Sequence, residues 1–236
     1  MDGIEALSGD MALASLTLAR AFANGGTMWC SAPGKSAHAH HVALEFVHPV
    51  IVGKRALPAA VVEGSDLVAT LRTLGRPGDV LVALSSADEP AVSSAMRRAA
   101  AWGLITVWIG GGSRPTPGAA DFVLWLDEPD AAYTGRFALL YHVLWELTHV
   151  CFGHPGLLRP TEAEGAPEVC VTCSDEGRLA EIVSVDPDDQ AHVRTPDGLE
   201  VVDTSLIGQA SPGDLVLIHA GSAVSLVDAA RSTDWQ

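Results

Sequence analysis

Residues 27–47 read TMWCSAPGKSAHAHHVALEFV. The apolar run Thr27–Cys30 predicts a short buried strand, residues 31–35 predict a turn of small residues, and residues 36–47 predict a helix. This order of strand, turn and helix is typical of the ligand-binding loops of α/β proteins, in which ligands bind beyond the carboxyl ends of parallel strands.

Apolar runs alternate with helical patterns through the first two thirds of the chain. Strands are predicted over 79–84, 105–109 and 122–126, and helices over 11–22 and from about 133 to 151. Ser8 and Asp10 are N-cap residue types that stand before the first of these helices. The alternation predicts a parallel, doubly wound α/β sheet.

The character of the sequence changes after residue 152. Residues 153–168 are rich in Pro, Gly and Glu and have no periodicity, so we interpret them as a linker between domains 1–152 and 169–236. Short alternating runs separated by turn sequences follow, at 179–185, 191–194, 199–202, 214–218 and 223–227. They predict a small all-β, OB-like barrel.

Charge and cysteine content narrow the class of protein. The chain has 29 acidic and 14 basic residues, a formal charge of −15, and no stripe of Lys or Arg, so nucleic acid and anionic membranes are poor partners. We expect a cytoplasmic protein, since no signal sequence or long apolar span is present. The four cysteines do not suggest a disulfide framework, and we expect Cys30 and Cys151 to pack as small hydrophobes.

Two predicted helices repeat one spacing of imidazole, carboxylate and imidazole groups: His41, Glu45 and His48, and then His142, Glu146 and His149. Positions i, i+4 and i+7 share a helix face, so two such faces could enclose a metal ion. Zinc, iron and nickel bind imidazole and carboxylate ligands. The candidate metal ligands are therefore His41, Glu45, His142 and Glu146. Solvated side chains without a ligand are the alternative.

The first 152 residues resemble the SIS-fold sugar-phosphate isomerases, in particular the phosphoheptose isomerases. The resemblance rests on the order of elements and on His40-His-Val-Ala-Leu-Glu45, Arg55-Ala-Leu-Pro58 and Pro77-Gly-Asp-Val-Leu81. It implies an active site with His41 and with Glu45 as the catalytic base, and it puts a further active-site position at Glu146. It also implies a homodimer or homotetramer with sites between subunits and a sugar-like ligand.

The same resemblance aligns two phosphate-binding loops with residues 33–36 and 85–89. Candidate substrate-binding residues are therefore Lys35, Ser36, Ser85 and Ser86. Asp88 and Glu89, however, occupy the helix start at which a phosphate normally binds. A carboxylate about 4 Å from a phosphate costs about 1 to 4 kcal/mol, so we expect weakened phosphosugar binding that Lys35 partly restores.

Residues 169 to about 228 resemble the HypC/HupF-type hydrogenase maturation chaperones. The matching motifs are Asp203-Thr-Ser-Leu-Ile-Gly208 and residues 212–223, PGDLVLIHAGSA. The resemblance implies that Cys170 and His219 carry an iron fragment with cyanide and carbon monoxide ligands toward the hydrogenase large subunit, together with a maturation scaffold protein. A thiolate and an imidazole suit low-spin iron.

A second thiol, Cys173, follows Cys170, so the segment Cys170-Val-Thr-Cys173 has more than one possible function. The pair is interpreted as an iron carrier or docking element, as a redox pair, or as half of a zinc site completed by dimerisation. His219 has the alternative of a satisfied structural histidine in an apolar strand. Three functions follow: a hydrogenase maturation protein, a sugar-phosphate aldose–ketose isomerase with a regulatory tail, or a metal-dependent enzyme or metal-binding protein.

Overall fold

The computed structural model describes residues 4–64, 66–128, 131–159 and 177–228. These residues fall into two compact units: the first contains those up to 159 except Ala100–Gly103, and the second contains Ala100–Gly103 and 177–228. The predicted limits of the linker, 153–168, fall largely outside the described residues and stay a prediction.

The first unit is built on a parallel sheet. Its strands are β1 (Met28–Ser31), β2 (Ala59–Val61), β3 (Val80–Leu84), β4 (Ile105–Gly111) and β5 (Phe122–Leu126). They lie in the order β2-β1-β3-β4-β5, and every neighbouring pair is parallel. All five residues of β3 are buried, as expected for a parallel strand covered on both faces. The predicted parallel α/β sheet is confirmed.

Within the described ranges, five α-helices accompany the sheet: α1 (Ser8–Ala23), α2 (Ser36–Val47), α3 (Leu67–Leu74), α4 (Pro90–Ala101) and α5 (Arg136–Phe152). The N-cap prediction for Ser8 and Asp10 is wrong, because α1 already begins at Ser8 and its cap, Leu7, forms no side-chain bond. The sequence did not predict α3 or β2, whose eight and three residues are too short for a clear periodicity. No helix within the described ranges is long and apolar enough to span a bilayer.

Helices α1, α2 and α5 share one hydrophobic core with the sheet. Alternate residues of β3, namely Val80, Val82 and Leu84, belong to this core, in keeping with the two-residue period of a strand. The indole nitrogen of Trp145 on α5 donates to the main-chain oxygen of Glu45 on α2 at 2.7 Å. This bond joins the last turn of α2 to α5 and positions the side chains between the two helices.

The second unit is a closed five-stranded barrel. Its strands are β6 (Arg178–Val185), β7 (Gln190–Thr195), β8 (Gly198–Asp203), β9 (Leu215–His219) and β10 (Ser222–Asp228), in the order β10-β8-β7-β6-β9. Its pairs are antiparallel except β8 with β10, which are parallel. Small and β-branched side chains such as Val193 and Val216 fill the interior. The predicted small barrel is confirmed.

Candidate functional site

Three side chains converge where α2 and α5 meet: His41, Glu45 and His142. Glu45 Oε1 lies 3.3 Å from His41 Nε2 and 3.4 Å from His142 Nε2, and the two imidazole nitrogens are 3.3 Å apart. Glu45 is the most enclosed, with 19% of its side chain exposed, against 41% for His41 and 43% for His142. We call these three residues the α2–α5 cluster. It opens to solvent on its imidazole side.

Local geometry and tertiary packing each contribute to the cluster. His41 and Glu45 are four residues apart on α2, so one helical turn brings their side chains together. His142 comes from a helix that lies 101 residues further along the chain. The Tyr141 hydroxyl lies 2.8 Å from His41 Nδ1, behind the cluster. Burial, and then the charge of Glu45, raise the pKa of Tyr141 to about 12, so its phenol is protonated at neutral pH.

The α2–α5 cluster has the composition of a proton-transfer site and of a metal site. The Glu45 oxygen and the two imidazole nitrogens form a triangle with sides of 3.3 to 3.4 Å, and both kinds of group serve as general acids and bases in enzymes. The three side chains also offer one ligand atom each, all within 4.8 Å of one another. Three protein ligands with a fourth position open are typical of catalytic zinc sites.

Glu146 does not join the cluster, which corrects the expectation of four metal ligands from two helices. Its carboxylate accepts a bond from Lys54 Nζ at 3.0 Å, and the ammonium group of Lys54 also lies over the Trp145 ring. One turn beyond His142, Trp145 contacts α2 through the main-chain oxygen of Glu45, and the carboxylate of Glu146 reaches Lys54 instead. The structure brings His142, and not Glu146, to Glu45.

The last histidine of each predicted stripe has a structural role. His149 is buried, and its Nδ1 and Nε2 lie 2.9 and 3.0 Å from the main-chain oxygens of Trp145 and Arg55. It therefore fixes the segment around Arg55 against α5. His48 is exposed and is the C-cap of α2, where its N–H bonds the carbonyl oxygen of Leu44. The two complete stripes predicted from the spacing do not form.

The loop after β3 departs from a phosphate-binding loop. The hydroxyl of Ser85 is buried, accepts a bond from the Trp108 indole at 3.0 Å and donates to the Ser86 carbonyl. The hydroxyl of Ser85 therefore already bonds protein groups as donor and as acceptor. A hydrogen bond from the Ser86 hydroxyl is the largest cause that lowers the pKa of Asp88, so this exposed carboxyl is ionised at neutral pH just before α4. Both features oppose phosphate binding.

Lys35 and Ser36 lie at the start of α2, beyond the end of β1. Lys35 is the N-cap residue, and its Nζ lies 5.7 Å from the centre of the Tyr133 ring. Its positive charge is among the smaller causes that lower the pKa of Asp88. Ligands of parallel sheets bind at this edge.

His219 is the last residue of β9 and is exposed. The following turn, Ala220 and Gly221, has φ angles of 49° and 74°, which is the backbone of a tight two-residue hairpin. Among the described residues the His219 side chain has no hydrogen-bond partner. This exposure argues against the alternative of a satisfied structural histidine in an apolar strand.

Comparisons with known proteins find similarities for both units. Residues 179–234 match the model of the HupF/HypC family. A curated phosphoheptose isomerase from Nitratidesulfovibrio vulgaris is 29% identical over 173 residues, which are 65% of this chain and 82% of that protein. Another from Desulfovibrio desulfuricans is 34% identical over 110 residues, and the match spans about half of it, 52%.

Solved structures agree for the first unit. A phosphoheptose isomerase from Francisella tularensis matches with a TM-score of 0.54 and 19% identity, over 61% of this chain and 86% of that one. One from Neisseria gonorrhoeae matches with a TM-score of 0.52 and 22% identity, over 62% and 88%. The chain therefore joins a domain with the fold of the SIS-type phosphoheptose isomerases, called the SIS domain, to a domain that matches the HupF/HypC family model, called the HupF/HypC domain. At identities of 19% and 22%, this structural similarity shows the fold of the SIS domain and not its activity.

The structure describes two of the four cysteines, Cys30 and Cys151. Cys170 and Cys173, which precede the family match of the HupF/HypC domain, lie outside the described residues. In the SIS domain, Cys30 and Cys151 are buried free thiols, and burial raises the pKa of both. These two cysteines therefore pack as small hydrophobes, as predicted.

Three residues behind the α2–α5 cluster of the SIS domain were not predicted from the sequence: His38, Tyr141 and Trp145. His38 and Tyr141 contact each other and Tyr141 contacts His41, while Trp145 holds the main chain of Glu45. One signal was present: His38 precedes His41 by three residues, which places both on one face of α2. Nothing in the sequence indicated the contact of Tyr141 with α2.

Proposed function

We propose that this protein is an accessory protein for the assembly of a nickel–iron hydrogenase. The observation that carries the proposal is the HupF/HypC match over residues 179–234, which contains nearly all of a complete closed barrel. The resemblance implies that the domain delivers an iron fragment with cyanide and carbon monoxide ligands, its cargo, to the hydrogenase large subunit alongside a maturation scaffold protein.

The exposed His219 fits this role. An imidazole with no partner among the described residues is available to a cargo or to a partner protein, and its removal leaves no buried group unsatisfied. Cys170, or its neighbour Cys173, supplies the thiolate of the proposed carrier. A thiolate and a neutral imidazole form a donor pair suited to low-spin iron.

Complementation of a strain that lacks this gene tests the proposal. Hydrogenase activity is expected with the wild-type chain and with the control variants Cys151→Ala and His192→Ala, and it is expected to be lost with Cys170→Ala or His219→Ala at equal protein level. Cys173→Ala decides which thiol acts. Full activity of a Cys170→Ala/Cys173→Ala double variant contradicts the proposal. Infrared cyanide and carbonyl bands on the purified chain would support it directly.

We propose aldose–ketose isomerisation as the second candidate function, because the α2–α5 cluster places a carboxylate beside two imidazoles in a domain similar to phosphoheptose isomerases. Glu45 would take a proton from the carbon next to the sugar carbonyl and return it to the former carbonyl carbon, while the imidazoles of His41 and His142 would exchange the hydroxyl proton between the two neighbouring sugar oxygens. The ionised Asp88 and the engaged Ser85 favour a polyhydroxy carbonyl compound without a phosphate dianion.

Turnover of sedoheptulose and of sedoheptulose 7-phosphate tests this function. Activity is expected to depend on Glu45, so Glu45→Gln abolishes it and the exposed control Glu63→Gln keeps it. Asp88→Asn is expected to raise kcat/KM for the phosphorylated sugar by about tenfold relative to the unphosphorylated one, which is within the range of a removed carboxylate–phosphate repulsion. Absence of turnover with either sugar contradicts the isomerase function.

The third candidate is a metal site in the α2–α5 cluster, occupied by zinc or iron. The donor set of two imidazoles and one carboxylate fits either metal, with an open position for a substrate oxygen or water. Metal analysis of the purified protein is expected to show one ion per chain, lost in His41→Ala and His142→Ala. His40→Ala, on the exposed side of α2, is the control, and metal-free wild-type protein contradicts the proposal.

We also propose that the chain acts in the cytoplasm. From the resemblance to SIS isomerases, we propose that the SIS domain forms a homodimer or homotetramer. Sedimentation equilibrium measures this oligomeric state. A monomer at micromolar concentration would contradict it.

A further inference from the structure

Behind the α2–α5 cluster lies a continuous line of hydrogen-bonding groups. The Tyr141 hydroxyl lies 2.8 Å from His41 Nδ1 and 3.4 Å from His38 Nδ1. His38 Nε2 lies 2.9 Å from the main-chain oxygen of Ala132. Tyr141 is buried, with 1% of its surface exposed, so water does not replace these contacts. The line therefore connects a fixed main-chain acceptor to the inner nitrogen of His41.

The chemistry of these groups sets the direction of each bond. A carbonyl oxygen only accepts, so Nε2 of His38 carries the hydrogen and Nδ1 of the neutral ring is an acceptor. Among the described residues, Tyr141 is the only group within bonding distance of that acceptor, so its hydroxyl donates to His38. The phenol has one proton. Its oxygen consequently accepts from His41, which requires the hydrogen of His41 on Nδ1.

We propose that His38 and Tyr141 are positioning residues that hold His41 in its Nδ1-protonated tautomer and present the Nε2 lone pair to the α2–α5 cluster. The use of that lone pair rests on the proposed cation-binding role of the cluster. Histidine ligands of metals commonly donate their second ring N–H to a neighbour that fixes tautomer and ring orientation. Here the neighbour is a tyrosine, itself fixed by a histidine and a main-chain carbonyl.

The proposed tautomer of His41 changes how the α2–α5 cluster interacts internally. In the proposed tautomer the His41 lone pair points at Glu45 Oε1 and His142 Nε2, each 3.3 Å away. A lone pair beside a carboxylate is unfavourable until a cation lies between them. The His38–Tyr141 line thus prepares the cluster for a cation, because it removes the N–H with which His41 would otherwise bond Glu45.

Nitrogen NMR of the full chain, labelled with ¹⁵N in the histidine rings, tests the proposal. In zinc-free protein at neutral pH, His41 is expected to show a protonated Nδ1 and an unprotonated Nε2, and comparison with His41→Gln assigns its signals. Tyr141→Phe removes only the hydroxyl, and it is expected to move His41 toward the Nε2-protonated form. Tyr133→Phe, at a side chain that is 79% exposed, is the matched control and is expected to leave His41 unchanged.

Zinc binding supplies the second readout. Tyr141→Phe and His38→Ala are expected to weaken zinc binding by about tenfold or more, with unfolding midpoints that show folded protein. An Nε2-protonated His41 in the wild type, or an unchanged tautomer in Tyr141→Phe, overturns the proposal. Wild-type protein that binds no zinc contradicts the metal site alone, since the tautomer of the zinc-free chain is measured independently.

Discussion

At the scale of single residues, the neighbours of Glu45 define its chemistry. Its carboxylate meets two imidazoles, and its main-chain oxygen accepts the indole N–H of Trp145. The first contact gives the carboxylate partners for proton transfer or metal binding. The second fixes the helical turn that carries it, because the end of a helix has carbonyl groups without helical partners.

Trp145→Phe tests the anchoring of Glu45. The change removes the only N–H of the side chain and part of its buried volume, so we expect the free energy of unfolding to fall by about 1 to 3 kcal/mol. Denaturant unfolding measures the change. Leu139→Ala, at a half-exposed position of the same helix, is the control with an expected change within about 0.5 kcal/mol. Equal effects of the two substitutions would argue against the anchor.

The ion pair of Glu200 in the HupF/HypC domain predicts a pH dependence. Arg178 binds both carboxylate oxygens of Glu200 at 3.0 Å, and this contact, with the Thr195 hydroxyl, lowers the pKa of Glu200 from its ordinary 4.5. A lowered folded-state pKa gives stability that is present above the unfolded value and is lost as the pH falls through the folded value.

We therefore expect the barrel to lose stability as the pH falls below about 4.5, the ordinary value for this carboxyl. The measurement is unfolding of the full chain followed as a function of pH. Glu200→Gln should flatten this dependence, while Glu63→Gln in the SIS domain should leave it intact. A profile with the same slope in wild type and Glu200→Gln would refute the assignment.

At the scale of secondary-structure elements, β4 shows how a missing side chain permits packing. A Cβ on Gly110 would lie 2.1 Å from the Trp125 ring and 2.5 Å from the main-chain oxygen of Ser85. The glycine therefore gives Trp125 the space to pack edge-to-face against Trp108, with ring centres 6.0 Å apart. Trp108 in turn holds Ser85 at the end of β3.

Gly110→Ala is expected to lower the free energy of unfolding by about 2 kcal/mol or more, since both a ring and a main-chain oxygen must shift. Gly9→Ala is the matched control. A Cβ at Gly9, in the first turn of α1, meets nothing within 4 Å, so a stabilisation of up to about 1 kcal/mol is expected there. Thermal and denaturant unfolding measure both, and a neutral Gly110→Ala would show that β4 adapts to the new side chain.

At the scale of the whole molecule, the excess of acidic residues predicts how stability depends on salt. The formal charge of −15 means that acidic groups repel one another across the surface. We expect the midpoint of thermal unfolding to rise when the ionic strength increases from about 0.01 M to about 0.15 M, because the Debye length falls from about 30 to 8 Å. Sucrose at matched osmolality is the control. A midpoint that is insensitive to salt would show that local pairs, and not net charge, control stability.

The sequence alone determined the two fold classes. Apolar runs of strand length that alternate with helical patterns predicted the parallel sheet, and short runs between turn residues predicted the barrel, because a side-chain period reports local backbone geometry. The pairing of His41 with Glu45 was predictable for the same reason. Their contact depends only on the pitch of one helix.

Only the tertiary structure decided which residues complete the site. His142 and Glu146 were equal candidates from their spacing, and the crossing of α2 and α5 brings the first to Glu45 and leaves the second with Lys54. The same crossing buries Tyr141 behind His41. Contacts between helices a hundred residues apart depend on crossing angle and rotation, which follow from the packing of many side chains and leave no periodic signal in either helix.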